Sequence, residues 1–393
     1  MEDQRFNFSH YFGDLPDPRR DNGRLRHELV DILAIALCGV MSGAESFVEI
    51  EEYGQCKEAW LRQRLGLSLR HGIPSHDTFG RLFSRLDPSA FEACFVAWTQ
   101  ALHTLTQGQV IALHGKCLRR SFDTAAGQSA LHLVSAWASQ SRLVLAQEAV
   151  DEKSNEMTAV PALLERLDIT DCVVTTDALN TQKNIAEQIV KQGGDYVLAL
   201  KGNHGLLYDD VSQFFDWLRA RPGGLPVECD ASSQTQEWQH GRYEVRRCFC
   251  LRATDQDWAQ ARKQWPGLQS LVCLESGRRS TTPDVEVPFG AQTQSSWERR
   301  FYLSSLECDA QRLMEAVRAH WGIENSLHWV LDVSFAEDDS RIRKDHAARN
   351  MATLRRLVLN LLRQDTRHKR GLKTRRHRAG WDDDYLLRIL CGP

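Results

Sequence analysis

The chain has 393 residues, 42% of them hydrophobic, 26% charged and 8% aromatic. This ordinary globular composition excludes a disordered or fibrous protein and leaves room for two or three domains with sizeable cores. The net charge of −3 hides an asymmetry: residues 1–100 carry 11 Lys and Arg against 15 Asp and Glu, whereas residues 341–393 carry 15 against 5. A basic end on an acidic body points to a polyanion met by one face, or else to a solvated basic helix.

The longest apolar run, Leu29 to Met41, is 13 residues long and contains Asp31. It is too short to cross a bilayer and reads as a buried helix, so no membrane partner is expected. The opening MEDQRFNFSH lacks the basic and apolar regions of a signal peptide. Eleven scattered cysteines without a CxxC pair fit reduced, mostly buried thiols better than a disulfide or zinc framework. Both observations make the cytoplasm the expected compartment.

Residues 1–104 read as an all-helical N-terminal domain. Ser75 is a natural N-cap, followed by Phe79, Leu82, Phe83 and Leu86 in an amphipathic stripe. Asp87-Pro88 opens a second helix, with Phe91, Phe95, Trp98 and Leu102 on its inner face. The pair could be a helix-turn-helix or any other two packed helices.

After residue 105 the pattern becomes mixed. Short apolar strands are expected at Val110–Leu113, Ala130–Trp137, Leu143–Ala146, Cys172–Thr176 and Tyr196–Leu200, with helices at Glu156–Leu167 and Gln182–Gln192. Three strands, then helix, strand, helix and strand, predict an α/β fold with a mixed sheet. Alternation at Tyr243–Leu251 and Ser270–Leu274 suggests a β-rich insertion over about 205–300. Helices resume at Asp309 and run with breaks to Leu362, and a basic C-terminal segment covers 363–393.

Several residues in this frame could carry chemistry. Asp177 follows an apolar strand at the mouth of the sheet, where ligands of α/β proteins bind, although it could merely cap the next helix. Glu324, His328 and Asp332 step by four and share one face of a helix. That face could ligate a divalent ion, Mg²⁺ or Mn²⁺ rather than zinc, or could be a surface salt-bridge face. Lys116, Arg119 and Arg120 flank the end of the first strand and Lys201-Gly202-Asn203 the end of the fifth, a placement that suits a phosphodiester backbone.

At these residues the chain resembles the DDE insertion-sequence transposases, in the H repeat-associated branch found with Rhs elements. The resemblance rests on Asp17-Pro18-Arg19-Arg20, Gly72 to Phe79, Gly115-Lys116-x-Leu118-Arg119, Glu152 to Glu156, Thr176-Asp177-Ala178, Gly194-Asp195-Tyr196 with Ala199 to Asn203, His240-Gly241-Arg242, and His320 to Asn325 running on to Asp332-Val333. It implies an RNase H-like catalytic domain over 105–362, interrupted by the insertion and preceded by the helical associated domain. It also implies metal-dependent cleavage and joining of DNA strands, with three acids holding two divalent ions, Mg²⁺ or Mn²⁺. The implied partners are double-stranded DNA, as terminal inverted repeats and as target. A homodimer on DNA is expected, in a bacterial cytoplasm and on the nucleoid when DNA-bound.

Carried onto this chain, the second acid is Asp177 and the third is Glu324. The position of the first acid, immediately before Gly115-Lys116, holds His114. A neutral nitrogen there replaces a hard, bridging carboxylate, which Mg²⁺ tolerates poorly and Mn²⁺ somewhat better. The wider superfamily has a Tyr–Arg–Glu–Lys signature, and here Val317, His320 and Leu331 occupy the three positions other than the Glu. Lys116, Arg119, Lys201, Arg318, His328, Lys369, Arg370, Arg375 and Arg376 are the expected DNA contacts. These departures set a transposase without cleavage activity, a DNA-binding protein that keeps only end recognition, beside the active enzyme. A nuclease unrelated to mobility is a third class and needs no recognition of inverted repeats.

Overall fold

A computed structural model describes residues 8–20, 25–102, 108–124, 127, 129–150, 156–239, 242–279 and 297–391. Most of the Glu152–Glu156 motif and His240-Gly241 lie outside the described residues. The chain forms two compact units: Met1–Thr104, Gly115–Ser154 and Glu324–Pro393 make the first, and Leu105–His114 with Asn155–Ile323 the second. The strands are β1 (Val110–Cys117), β2 (His132–Ala138), β3 (Leu143–Val150), β4 (Val173–Thr176), β5 (Asp195–Leu200), β6 (Ala231–Gln239), β7 (Arg242–Arg252), β8 (Ser270–Arg279) and β9 (Trp297–Ser304). Among the described residues, no helix is long and apolar enough to cross a membrane.

The second unit is built on strands in the order β1-β4-β5-β9-β8-β7-β6. β1, β4 and β5 run parallel, and the pairs from β5 to β9 through β7 to β6 are antiparallel. β4 is VVTT, buried at every position, as a strand covered on both faces must be. One face of the sheet packs Val110, Val173, Val197, Cys248, Cys250 and Val272 against Leu313, Met314 and Val317 of the helix Ala310–Ile323. The region 205–300 is less purely β than expected, since helices Leu206–Ala220 and Asp255–Gln264 stand among its strands.

The first unit is mainly helical, with the β2–β3 antiparallel ribbon and the last three residues of β1. The expected helices form at His76–Arg85 and Pro88–Leu102, and Phe79, Leu82, Phe83, Phe91, Phe95 and Trp98 are all buried. Asp87 Oδ1 accepts from Ser89 N (2.9 Å), the proline-start cap that the sequence implies. The helix Ala347–Gln364 is buried along most of its length. Its Asn350 Nδ2 donates to the carbonyls of Phe83 (2.8 Å) and Leu86 (2.9 Å), satisfying carbonyls at the C-terminal end of helix His76–Arg85. Asn360 pairs with both backbone groups of Val144 on β3.

The C-terminal segment is folded into this unit. Helix Leu372–Trp381 buries Arg376, whose guanidinium donates to the carbonyls of Val40 (2.8 Å) and Ser334 and stacks 4.3 Å over the Phe335 ring. Arg375 donates to the carbonyls of Leu362 (2.8 Å), Asp365 (2.9 Å) and Arg370 (2.9 Å). Both were expected to face DNA. Backbone carbonyls hold them instead, so neither guanidinium is presented to a phosphate.

Candidate functional site

The site begins where the pairing of three parallel strands, β1, β4 and β5, stops. Leu113 of β1 pairs with Thr176 of β4, so His114 and Asp177 each stand one residue beyond the same pair, on neighbouring strands. Such strands lie about 4.8 Å apart. Thr176 in turn pairs with Leu198 of β5, and Lys201 follows the end of that strand, exposed. A cleft of about 400 Å³ opens here, lined by His114, Asp177, Lys201, Arg300, His320 and Trp321 among others. This is the carboxyl end of a parallel sheet, the usual place for a ligand.

Asp177 is held in place. Its Oδ1 accepts from Asn180 N (3.1 Å) and from Asn180 Nδ2 (3.0 Å), while the same amide also reaches Glu156 Oε2 (2.8 Å). Thr181 Oγ1 bridges the carbonyls of Asp177 and Ala199, and Asn203 Nδ2 donates to Ala178 O (2.9 Å), so the loops after β4 and β5 are bolted together. The alternative role, a helix cap, is not the one Asp177 plays. The following helix starts at Lys183 with Gln182 at its N-cap.

His320 comes from the covering helix. Its Nδ1 lies 3.0 Å from Thr175 Oγ1 of β4, and its ring centre is 6.0 Å from that of His114. Burial, with His114 close by, pushes its pKa down to about 3, so the ring is neutral at ordinary pH. Beside it, Arg300 stacks 4.3 Å over Trp321 and pairs with Glu298 (2.8 Å). Val317, from the same helix, and Leu331 are buried core residues, so neither of these signature positions presents a polar group.

Among the expected DNA contacts of this unit, Arg318 is engaged elsewhere. It forms a fork on Glu237 of β6 (2.6 and 2.9 Å), and that hydrogen-bonded pairing holds the Glu237 carboxyl below its usual range. Lys201 remains exposed at the cleft.

In the first unit, the helical stretch after Ile323 is interrupted. Residues Glu324–His328 form a π-turn before helix Trp329–Phe335 resumes. The wider turn breaks the expected single face. Glu324 is exposed, His328 is buried, and Asp332 pairs with Lys116. Lys116 also contacts Glu337 (3.1 Å) and Asp338 (3.5 Å), while Arg356 meets Glu337 from its other side (2.9 Å). Lys116 and His328 are therefore buried groups, in place of the expected phosphate contacts. Arg119 is exposed with a loose contact to Asp338 (3.4 Å), and Lys369 and Arg370 are exposed. The buried network of Lys116, Glu337 and Arg356 had no periodic signal to reveal it.

Mg²⁺ or Mn²⁺ needs a set of oxygen ligands. The cleft is lined by the carboxylates of Asp177, at the strand end, and Glu298, and by two imidazoles, His114 and His320. Among the described residues no group of three or more His, Cys, Asp and Glu side chains converges to hold a metal ion. His114 thus places an imidazole nitrogen where a centre for hard cations takes a carboxylate oxygen.

Residues 98–361 match the family model described as the transposase DDE domain, and residues 9–99 the one described as DDE_Tnp_1-associated. The chain is 37% identical to YncI, a proposed transposase of Escherichia coli O157:H7, over 97% of this chain and 93% of that protein. It is likewise 37% identical to YhhI, a proposed H repeat-associated transposase of Escherichia coli strain K12, over 96% of each. A solved piggyBac transposase synaptic complex with hairpin DNA aligns at 11% identity and a TM-score of 0.42, covering 95% of this chain and 75% of that one, too distant to argue from.

Proposed function

The chain belongs to the DDE transposase family, with the H repeat-associated proteins among its relatives, and from that premise we propose that it binds the ends of an insertion sequence and is impaired in cutting them. The lineage reaction is metal-dependent cleavage and transfer of DNA strands at terminal inverted repeats. Asp177 and Glu324 are its second and third acids in this reading, and His114 stands at the first. The catalytic domain is an RNase H-like fold over 105–362 with its insertion at about 205–300. The acting form is a homodimer on double-stranded DNA, in the bacterial cytoplasm and at the nucleoid.

One observation carries the reading of impaired chemistry. His114 emerges beside Asp177 at the ends of paired parallel strands, where the family pattern has a second carboxylate. With His114 the three positions carry a ligand charge of −2 rather than −3, and an oxygen that could bridge two ions is absent. DNA contact falls to the exposed cations Lys201, Arg119, Lys369 and Arg370.

The test is cleavage of labelled terminal-repeat DNA by the native chain and by His114→Asp, in Mg²⁺ and then in Mn²⁺. The native chain is expected to bind the repeats but to cut little in Mg²⁺, with residual activity favouring Mn²⁺. His114→Asp is expected to cut faster by orders of magnitude, each tenfold corresponding to 1.36 kcal/mol of barrier. Robust and equal cleavage by both proteins in Mg²⁺ contradicts the reading. Binding to repeats without cleavage by either protein favours the second reading, a DNA-binding protein derived from a transposase, with Val317, His320 and Leu331 as the further losses.

A further inference from the structure

The helix Leu372–Trp381 of the first unit has two unlike faces. Its inner face is fixed by Arg376 and Ala379, both buried, and by the bonds of Arg375 and Arg376 to backbone carbonyls. Its outer face carries Lys373, Thr374, His377 and Trp381, all exposed, at i, i+1, i+4 and i+8. That spacing keeps the four within about 100° of arc, one stripe along a helix about 15 Å long. Arg367, Lys369 and Arg370, just before the helix, are exposed too. Among the described residues, the side chains of Arg367, Lys369, Arg370, Lys373 and Thr374 have no hydrogen-bond or ion-pair partner. His377 lies against Trp381, ring centres 5.5 Å apart. The acids at the far end of the helix are already matched, Asp382 by Arg378 (3.1 Å), Asp383 by Lys57 (2.6 Å) and Asp384 by Arg64 (3.1 Å). The charge left over is positive. The helix pair expected to resemble a helix-turn-helix offers nothing comparable, since Pro88–Leu102 exposes Ser89, Ala93, Ala97, Gln100 and Ala101, none of them a cation.

We propose that this helix enters the major groove of duplex DNA and reads base edges with Lys373, Thr374 and His377, a role that rests on the DNA-binding reading above. Arg367, Lys369 and Arg370 hold the flanking phosphates. A polyanion complements the unmatched charge, and the groups between the cations say how it is met. A surface for phosphate alone needs only cations, whereas this stripe interleaves them with short polar and aromatic side chains. The major groove is about 12 Å wide and admits an α-helix presented in this way. There Lys373 donates to guanine N7 and O6, the Thr374 hydroxyl bonds a base edge, and the Thr374 methyl and the Trp381 ring offer apolar contact to a thymine methyl. The His377 ring N–H donates to an acceptor on the same edge. The anchoring of Arg375 and Arg376 keeps the outer stripe in one orientation, which base readout requires and loose phosphate attraction does not.

The experiment measures, by fluorescence anisotropy at one salt concentration, the affinity of the full-length chain for a terminal-repeat duplex and for a shuffled duplex of the same composition. The native chain is compared with Lys373→Ala, Thr374→Ala and His377→Ala. Guanines of the repeat are also replaced one at a time by 7-deazaguanine, which removes a major-groove acceptor and leaves base pairing intact. The native chain is expected to prefer the repeat and to lose about tenfold in affinity at the guanine that Lys373 reads. Lys373→Ala is expected to be insensitive to that replacement. Thr374→Ala and His377→Ala are expected to narrow the preference for the repeat severalfold, with melting temperatures unchanged. A preference that all three variants retain, or an equal response of the native chain and Lys373→Ala to every 7-deazaguanine, overturns base reading by this helix while leaving DNA binding intact. Failure of the native chain to bind either duplex overturns the DNA-binding reading as well.

Discussion

Two regions of this molecule hold charged groups close together, and they treat them oppositely. In the first unit, Lys116, Glu337 and Arg356 are buried side by side, and every charge there meets an opposite one. At the strand ends of the second unit, Asp177 is half-buried, Lys201 is exposed, and His114 and His320 are imidazoles around an open cleft. The first arrangement is a closed network that stabilises a fold, and the second keeps polar groups facing a space that a ligand can enter. A lysine after a strand reads the same in both cases until its partners are known. The contrast repeats within one short stretch near the C-terminus, where Arg375 and Arg376 are held by carbonyls while Lys369 and Arg370 face solvent.

The largest expected effect comes from breaking the closed network. Arg356→Met leaves Glu337, fully buried, with one of its two cations removed. Removing one partner of a buried pair costs about 3–5 kcal/mol, to be read as a lower urea midpoint. Lys201→Ala, at the exposed cleft, is expected to change stability by less than about 0.5 kcal/mol. Similar losses from both substitutions erase the distinction between the regions.

Much of the fold was legible because periodicity carries it. The stripe from Phe79 to Leu86 and the apolar runs of β1 to β5 declared themselves, and they buried as expected. β6, ASSQTQEWQ, was not legible, because an edge strand of polar residues has no buried face to write into its sequence. β9, WERRFYLS, was obscured in the same way, its first half being solvated and only its second half buried. The π-turn at Glu324–His328 was invisible, since its one extra residue per turn has no compositional mark. At the site, Asp177 was legible as a strand-end residue, and His114 only through the family resemblance. The engagement of Lys116, Arg318 and Arg376 was not, because their partners are carboxylates and carbonyls distant in sequence, whereas Arg375 turns back on the nearby carbonyls of Leu362 and Asp365.

Acid separates the two regions by pH. His320 is neutral in the fold, with its pKa depressed from 6.5 to about 3 by burial. Its contribution is fully present above pH 6.5 and is lost as pH falls towards 3, because the unfolded chain then binds a proton that the folded chain refuses. The loss runs at up to about 1.4 kcal/mol per pH unit. The difference in unfolding free energy between the native chain and His320→Gln should therefore be constant above pH 6.5 and drift below it. A difference that stays flat down to pH 4 means that the ring is not held neutral.

Glu337 titrates lower. Although burial opposes ionisation, Arg356 and Lys116 hold its pKa at about 2, against 4.5 for an ordinary glutamate. The stability it contributes is present above pH 4.5 and disappears as pH falls from there towards 2. Glu337→Gln should be less stable than the native chain at neutral pH, with the gap narrowing only below pH 4.5. A gap that begins to close at pH 6 places the titration in another group.

The division between engaged and exposed cations is tested most directly by the salt dependence of DNA affinity. The measurement is the slope of log affinity against log salt for terminal-repeat duplex DNA, taken for the native chain, for Lys201→Ala, for the pair Lys369→Ala with Arg370→Ala, and for Arg375→Ala. Each lost phosphate contact on duplex DNA lowers the slope by about 0.9. Lys201→Ala is expected to lower it by about one contact and the Lys369, Arg370 pair by about two, with affinity falling alike on all sequences. Arg375→Ala is expected to leave the slope of the folded protein unchanged while lowering its melting temperature. A reduced slope for Arg375→Ala, with native slopes for Lys201→Ala and for the exposed pair, contradicts the assignment.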